Sequence, residues 1–175
     1  MTNFEEKTLA HSRVYEGKFI KVDKDDVELA DGKKSFREVI RHPGGVVALA
    51  FKDKETILLV KQYRYPIAQA SLELPAGKLE TGENPDEAIK RELEEETGFV
   101  AKKWTSLGYI NTTPGICDEK LYLYKAEDLE FKKQNPDDGE IIEYFEYNLN
   151  EVIDMIKSGQ INDSKTICAI ARTKL

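Results

Sequence analysis

One segment near the middle of the chain constrains the fold most strongly. Leu74-Pro75-Ala76-Gly77 follows a short apolar stretch, and a polar loop leads from it to a helix that we predict over Pro85–Thr97. Asn84 is a good N-cap before a proline that suits the first helical position. Gly98 is typical of a left-handed stop at the C-terminal end of a helix. The segment therefore predicts a strand, a loop and a helix in direct succession.

Short alternating strands precede this segment. Residues 12–42 alternate apolar and polar side chains in pieces, with a turn at Asp31-Gly32, which predicts a small antiparallel sheet. His42-Pro43-Gly44-Gly45 breaks the pattern. We therefore predict that residues 1–42 form an N-terminal β-sheet and that residues 43–175 form the main domain.

The rest of the chain mixes strands and helices. Val46–Phe51 and Thr56–Val60 are apolar runs on either side of a polar turn, which predicts a hairpin of two buried strands. Further strands are expected at residues 104–111, 120–126 and 141–147, and further helices at 149–158 and 164–173. This mixture predicts an α+β fold in which helices flank a mixed sheet.

Composition excludes several classes of protein. The net charge of -7 disfavours nucleic-acid binding, which depends on Lys and Arg. The apolar runs are far shorter than the ~20 residues of a membrane helix, so we expect no membrane partner. Residues 1–6 lack the basic start and apolar stretch of a signal peptide, and two cysteines cannot form a disulfide framework. A cytoplasmic protein is expected.

The predicted helix carries a cluster of glutamates. Glu92, Glu95 and Glu96 are spaced i, i+3 and i+4, so their side chains lie on one face, and Arg91 is placed to pair with Glu95. Like charges repel there, and the helix dipole disfavours anions near its C-terminal end. A divalent cation would remove this conflict, and a site of oxygen ligands alone favours Mg²⁺ or Mn²⁺. The alternative is a solvated acidic face.

The spacing of these residues resembles the Nudix box: it comprises Gly77, Glu83, Arg91-Glu92-Leu93, Glu95-Glu96 and Gly98, with Phe99 where an aliphatic residue is usual. Nudix hydrolases cleave a diphosphate linked to another moiety and use divalent cations. The resemblance implies an α/β/α sandwich with a small N-terminal antiparallel sheet. It also implies that Glu92, Glu95, Glu96 and the carbonyl of Ala76 bind metal, while Arg91 orients the glutamates.

A second resemblance narrows the family. Pro114 in Thr112-Thr113-Pro114-Gly115 is similar to the marker of the ADP-ribose pyrophosphatases, and so are the stretches at residues 61–66, 73–77 and 163–166. It implies hydrolysis of ADP-ribose to AMP and ribose 5-phosphate, and a homodimer in which the N-terminal sheet crosses to the partner subunit. Because the residues of the box would act on the diphosphate alone, they do not exclude ADP-glucose or GDP-mannose as the substrate. A non-catalytic sensor of ADP-ribose is a further alternative.

A general base is expected in the acidic loop over residues 135–143, since a loop carboxylate can accept a proton from water. The resemblance to this subfamily implies that the same loop supplies the general base. Glu140 is our first choice and Glu143 our second. The alternative for this loop is a solvated turn before a strand.

Substrate contacts are predicted at five residues. Arginine binds phosphate bidentately, which makes Arg64 and Arg41 candidates for the diphosphate, with structural ion pairs as the alternative. Phe36 is a candidate for the adenine face, although an aromatic residue on a strand is often part of the core. Pro114 and Glu119 complete the set, with Glu119 assigned to the terminal ribose.

Overall fold

The computed structural model describes residues 4–135, 139 and 141–174. It divides the chain into two compact units. The first, called here the N-terminal unit, comprises Met1–Gly44 and Asn111–Lys120. The second, called the main unit, comprises Gly45–Ile110 and Leu121–Leu175. Nothing in the sequence indicated that residues 111–120 belong with the N-terminal residues.

The N-terminal unit contains a three-stranded antiparallel sheet with β2 in the centre. The turn between β2 and β3 lies at Asp31-Gly32, where the sequence predicts it. Gly32 has a φ of 82°, a backbone conformation that favours glycine. Residues 111–120 join the end of β3, where the Ile40 N–H donates to the Ile116 carbonyl at 2.8 Å. The three strands are β1 (Lys7–Glu16), β2 (Lys21–Glu28) and β3 (Lys34–Arg41).

The main unit contains two further sheets. One has the order β7-β4-β9-β8 and the other β10-β5-β6. The first is mixed, as predicted, because β4 pairs antiparallel with β7 and parallel with β9. The strands are β4 (Gly45–Ala50), β5 (Thr56–Arg64), β6 (Gln69–Glu73), β7 (Ala76–Lys78), β8 (Phe99–Asn111), β9 (Lys120–Phe131) and β10 (Glu143–Asn148).

The predicted hairpin of Val46–Phe51 with Thr56–Val60 is wrong in its pairing. The two strands lie in different sheets, and Phe51 and Ile57 between them form an isolated bridge. Both edges of β4 are already paired, with β7 and β9, so β5 has no edge of β4 to join. The turn after β4 carries the chain from one sheet into the other.

Helices lie against both faces of β4. Val47 and Leu49 pack in one core cluster with residues of α2 and α3, such as Val152 and Ala169. Val46 and Ala48 pack in a second cluster with residues of α1, including Leu93. This alternation produces the helix–sheet–helix layers that the sequence predicted. The helices are α1 (Pro85–Thr97), α2 (Leu149–Lys157) and α3 (Ser164–Lys174), and none of the helices described has the length and apolar character needed to cross a bilayer.

Candidate active site

Helix α1 begins and ends where the sequence predicts. The Asn84 side chain accepts a hydrogen bond from the Asp86 N–H at 2.9 Å. Gly98 has a φ of 77° and its N–H donates to the Glu94 carbonyl at 2.8 Å. These local caps fix the length of the helix. They therefore place Glu92, Glu95 and Glu96 in its last two turns.

Arg91 gathers three carboxylates. Its Nη1 lies 2.9 Å from Glu92 Oε1 and 2.8 Å from Glu95 Oε2. Its Nε and Nη2 each donate to Glu83 at 3.2 Å. Burial alone would lower the pKa of Arg91, but these carboxylates raise it above the ordinary value. The Arg91 guanidinium also lowers the pKa of Glu83, so the Arg91–Glu83 pair stays charged near neutral pH.

Strand β7 lies against the same face of α1. Glu96 is buried, and its Oε2 accepts a hydrogen bond from the Ala76 N–H at 2.9 Å. A β-carbon added to Gly77 would lie 1.8 Å from Glu92 Cδ, so the carboxylate fills the space that a side chain would need. The structure therefore brings together the residues expected to bind metal with the arginine expected to orient the glutamates, which are Ala76, Glu92, Glu95 and Glu96 with Arg91.

The donor set fits a divalent cation. Carboxylate and carbonyl oxygens are the ligands of hard divalent ions, and the absent side chain of Gly77 leaves the Glu92 carboxylate room beside β7. In the part of the chain that the structure describes, no three Asp, Glu, His or Cys side chains converge as a metal site. Arg91 Nη1 contacts Glu92 and Glu95, while Glu96 binds a backbone amide. Coordination would require some of these contacts to be exchanged.

The acidic loop is only partly described. Glu140 lies outside the described residues, whereas Glu143 is exposed at the first position of β10, opposite Lys61. Gln134 Nε2 donates to the Glu96 carbonyl at 2.6 Å and to the Ile142 carbonyl at 3.2 Å. This amide therefore links the start of β10 to the end of α1. Sequence reasoning missed Gln134, because its two partners are carbonyls that no side-chain pattern reveals.

A cavity of about 300 Å³ lies beside the last turns of α1. Glu95, a predicted metal ligand, and Arg91, predicted to orient the glutamates, contribute to its lining. Lys133 and Asn135 line it from the segment that follows β9. The cavity therefore borders the glutamate cluster on the side where the acidic loop begins.

Arg64 forms a bidentate pair with a buried carboxylate. Its Nε donates to Glu73 Oε1 at 2.9 Å and its Nη2 to Glu73 Oε2 at 2.6 Å. Lys165 Nζ also donates to Glu73. Burial would raise the pKa of Glu73, but the two cations outweigh it and lower the pKa to about 2. Glu73 and Lys165 were absent from the predicted site, although a charged residue between Leu72 and Leu74 signals a need for a partner.

Arg41 lies in an ion-pair network of the N-terminal unit. Its Nε donates to Asp23 Oδ2 at 2.8 Å, and its Nη1 lies 3.2 Å from Asp118 Oδ2. Hydrogen bonds from Arg13 and Arg41 lower the pKa of Asp23 to about 2. The structural ion pair that the sequence left open as an alternative is therefore present.

The other predicted substrate residues also lie in the N-terminal unit. Phe36 is 54% exposed on β3, so it is not a core residue, and Lys24 Nζ lies 5.2 Å from its ring centroid. Pro114 is exposed. Glu119 Oε2 accepts a hydrogen bond from Thr112 Oγ1 at 2.6 Å. His42 Nδ1 lies 3.2 Å from Glu119 Oε1. The structure thus leaves the Phe36 ring accessible, whereas both oxygens of the Glu119 carboxylate have a neighbour.

Comparisons with known proteins agree with this architecture. Residues 41–170 match the NUDIX domain model, and residues 6–40 match the nucleoside diphosphate sugar hydrolase N-terminal domain. A Bacillus subtilis protein named ADP-ribose pyrophosphatase is 42% identical over 100% of this chain and 96% of its own length. A Bacillus methanolicus protein named methanol dehydrogenase activator is also 42% identical, over 98% of this chain and 94% of its own.

A solved structure shows the same fold. The crystal structure of an ADP compounds hydrolase superimposes with a TM-score of 0.86, over 99% of this chain and 95% of that one, at 20% identity. The predicted α+β fold is therefore confirmed. Because the NUDIX model covers most of the chain and the Bacillus relatives align over nearly all of it, the chain belongs to the Nudix hydrolase family, whose members use divalent cations.

Proposed function

We propose that this protein hydrolyses ADP-ribose to AMP and ribose 5-phosphate. The observation that carries the proposal is the 42% identity to an ADP-ribose pyrophosphatase over the whole chain. The cofactor we propose is Mg²⁺, with Mn²⁺ as a substitute, held by Glu92, Glu95, Glu96 and the Ala76 carbonyl. The proximity of these residues to one another supports this assignment.

The reaction adds water across the diphosphate. The water oxygen attacks one phosphorus, the bridging P–O bond breaks, and the proton of the water passes to a carboxylate. A bound divalent cation would supply charge neutralisation at the phosphate oxygens and a lower pKa for the water. We assign the proton acceptor to Glu140 first and to Glu143 second. Arg91 keeps Glu92 and Glu95 oriented through its two contacts.

The substrate contacts remain proposals. We assign the diphosphate to Arg64 and Arg41, the adenine to Phe36, and the terminal ribose to Glu119 near Pro114. Among the described residues, the hydrogen bonds of Arg64 come from Nε and Nη2. Its Nη1 is therefore available for a phosphate oxygen. The ring of Phe36 is exposed, which supports its proposed stacking on the adenine.

We also propose a cytoplasmic homodimer that forms through the N-terminal sheet. Large apolar side chains are exposed in this unit, and such exposure favours an interface. We expect light scattering to give twice the mass of one chain, and Val14→Glu to give a monomer because it buries a charge at the interface. A wild-type monomer would rule out this arrangement. The exposed large apolar residues described in this unit are Phe4, Leu9, Val14, Tyr15, Phe19, Ile20, Phe36 and Ile116.

The decisive experiment is product analysis with purified protein. We expect AMP and ribose 5-phosphate in equal amounts with Mg²⁺, no turnover with EDTA, and recovery when Mg²⁺ is restored. Glu96→Gln keeps an oxygen acceptor for the Ala76 N–H and removes the charge. It should fold and lose turnover. A wild-type protein that cleaves neither ADP-ribose nor any nucleoside diphosphate sugar would reject the proposal.

Other nucleoside diphosphate sugars stay open as substrates. The glutamates would act on the diphosphate alone, so they do not distinguish ADP-ribose from ADP-glucose or GDP-mannose. A comparison of kcat/KM for the three compounds decides between them. We expect ADP-ribose to give the highest value.

A regulatory role is the second candidate. It is favoured by the relative named methanol dehydrogenase activator, which is as similar to this chain as the pyrophosphatase is. The variant Glu96→Gln distinguishes the enzymatic role from the regulatory role. A non-catalytic sensor would keep its binding of ADP-ribose and its effect on a partner in this variant, whereas an enzyme would lose its turnover.

A further inference from the structure

Four charged side chains form a cluster at the end of β6, called here the Glu73 cluster. Glu73 accepts two hydrogen bonds from Arg64, at 2.9 and 2.6 Å, and one from Lys165. Lys165 Nζ also donates to Asp163 Oδ1 at 2.9 Å. Glu73 and Lys165 are buried, and the Arg64 side chain is 38% exposed. Two cations therefore share the same buried carboxylate, and of the two, Arg64 reaches solvent more.

Helix α3 attaches this cluster to the glutamate site. Thr166 is fully buried, and its Oγ1 accepts a hydrogen bond from the Leu74 N–H at 2.9 Å. The same hydroxyl donates to Asp163 Oδ2 at 2.6 Å. Leu74 is followed by Pro75 and then by Ala76, whose N–H binds Glu96. The start of α3 thus fixes the backbone that leads directly into the proposed metal site.

The contacts of Arg64 leave one edge of its guanidinium open. Nε and Nη2 face Glu73, and Nη1 donates to none of the residues that the structure describes. Glu96 contributes electrostatically to the raised pKa of Arg64, after the larger effect of Glu73. The residue that holds Arg64, Glu73, lies three positions before Ala76, whose N–H donates to Glu96 in the glutamate site. An arginine held on one edge by a carboxylate presents the other edge in a fixed direction.

Lys165 has no comparable access. Its side chain is 11% exposed, and its ammonium already donates to Glu73 and Asp163. A role in touching the substrate is therefore disfavoured. What Lys165 can do is fix Glu73 and share its negative charge, so that Arg64 is held in place without being fully neutralised.

On the basis of the proposed function, we propose that Lys165 is a positioning residue of the hydrolase. Its ammonium fixes the Glu73 carboxylate, which in turn holds the Arg64 guanidinium with its open edge towards the diphosphate. In this proposal Arg64 binds the negative charge of the diphosphate, which is present in both the ground state and the transition state. The arginine therefore stabilises both states. Loss of Lys165 should therefore act mainly on KM.

The test uses Lys165→Met in the full chain, which keeps the length of the side chain and removes its charge. We expect the KM for ADP-ribose to rise about tenfold and kcat to change by less than about threefold. Lys165→Arg, which keeps the charge, should recover most of the loss. Lys157→Met is the matched control, because Lys157 is an exposed lysine on α2, paired with Asp154. It should keep the KM of the wild type.

A double-mutant cycle separates positioning from general stabilisation. In an Arg64→Ala background, Lys165→Met should cause no further rise in KM, because the group that it positions is gone. A merely structural role would lower stability and leave the KM of folded Lys165→Met at the wild-type value. A contribution to binding that is independent of Arg64 would instead raise the KM by the same factor in both backgrounds. If Lys165→Met does not fold, Glu73→Gln replaces it, since the amide keeps the volume and removes the shared charge. A KM within twofold of the wild type in the variant that folds would overturn the proposal.

The outcome is distinguishable from failure of the proposed function. If wild-type protein cleaves no nucleoside diphosphate sugar, the proposed activity itself is wrong. Binding of AMP, the proposed product, then replaces KM in the same cycle, measured by calorimetry. Equal affinity of wild type and Lys165→Met for AMP would then overturn the positioning role as well.

Discussion

The carboxylate of Glu92 lies directly over the α-carbon of Gly77. A β-carbon at residue 77 would meet Glu92 Cδ at 1.8 Å and both carboxylate oxygens at 2.2 Å or less. These atoms are the far end of a flexible side chain, so the conflict is relieved when the carboxylate moves. A side chain at residue 77 would therefore displace a proposed metal ligand with little effect on the backbone.

Gly77→Ala should accordingly lose activity and keep its fold. We expect kcat/KM to fall by about two orders of magnitude or more, because the displaced ligand is one of the three glutamates. The melting temperature should change by only a few degrees. Activity assays and thermal unfolding of the same sample check both results.

Gly159→Ala is the opposite control. Nothing lies within 4 Å of an added β-carbon there, but the φ of 77° strains any other residue. It should lose about 1 kcal/mol of stability and retain full activity. If Gly77→Ala also retained activity, the position of Glu92 would not matter for turnover.

Arg91→Lys should weaken the site although the charge is kept. A lysine cannot reach Glu83 with a two-pronged contact and bind Glu92 and Glu95 at the same time. We expect kcat/KM to fall about ten- to a hundredfold, which corresponds to the loss of one charge-assisted hydrogen bond. The Mg²⁺ concentration for half-maximal rate should rise.

Lys90→Met tests the specificity of that effect. Lys90 is the preceding residue on α1 and pairs with Glu87 at 2.7 Å on the exposed side of the helix. Titrations of Mg²⁺ should give the wild-type curve for this variant. Equal losses in both variants would point to general weakening of the helix.

Local features of the site were predictable from the sequence. The bounds of α1 depend on Asn84, Pro85 and Gly98, whose effects act within a few residues. The common face of Glu92, Glu95 and Glu96 follows from helical spacing alone. Their surroundings from β7 were implied by the resemblance to the Nudix box, since no short-range pattern brings Ala76 to Glu96.

Contacts between distant parts of the chain were not predictable in this way. Lys165 and Glu73 are 92 residues apart. The position of Glu73 between two leucines signals a need for a partner, but no short-range pattern identifies Lys165 as that partner. The prediction that β4 pairs with β5 was wrong for the same reason. One edge of β4 is paired with β9, which is distant in the sequence. The domain boundary after residue 42 and the roles of the individual site residues stay predictions.

Glu73 should make stability depend on acid pH. Its pKa is lowered from 4.5 to about 2 in the folded protein. A lowered pKa stabilises the fold above the unfolded value, and this contribution is lost as the pH falls from about 4.5 to about 2. The pH-dependent part is on the order of 3 kcal/mol.

Urea unfolding of Glu73→Gln measures this contribution. The free energy of unfolding of the wild type should decline more steeply between pH 5 and pH 3 than that of the variant, by about one to two kcal/mol. Glu151→Gln removes an exposed carboxylate of α2 and should follow the wild-type curve. Parallel curves for wild type and Glu73→Gln would contradict the expectation.

Gln134→Met should destabilise the junction between α1 and β10. The substitution leaves the carbonyls of Glu96 and Ile142 without their amide donor. We expect a loss of about 1–2 kcal/mol in urea unfolding. Gln160→Met, at an exposed position after α2, should be close to neutral. If the two variants were equally stable, the bridge would contribute nothing.

The general base is decided by comparing Glu140→Gln with Glu143→Gln. Loss of a general base lowers kcat by about 10²–10⁴-fold, so the variant of the true base should show a drop of that size. We expect it in Glu140→Gln. Glu143 lies at the first position of β10 opposite Lys61, and its amide variant should lose much less.

The pH–rate profile supplies an independent criterion, because removal of the base also removes the decline in rate on the acidic side. If that decline vanishes in Glu143→Gln and persists in Glu140→Gln, the proton is accepted by Glu143 at the start of the strand.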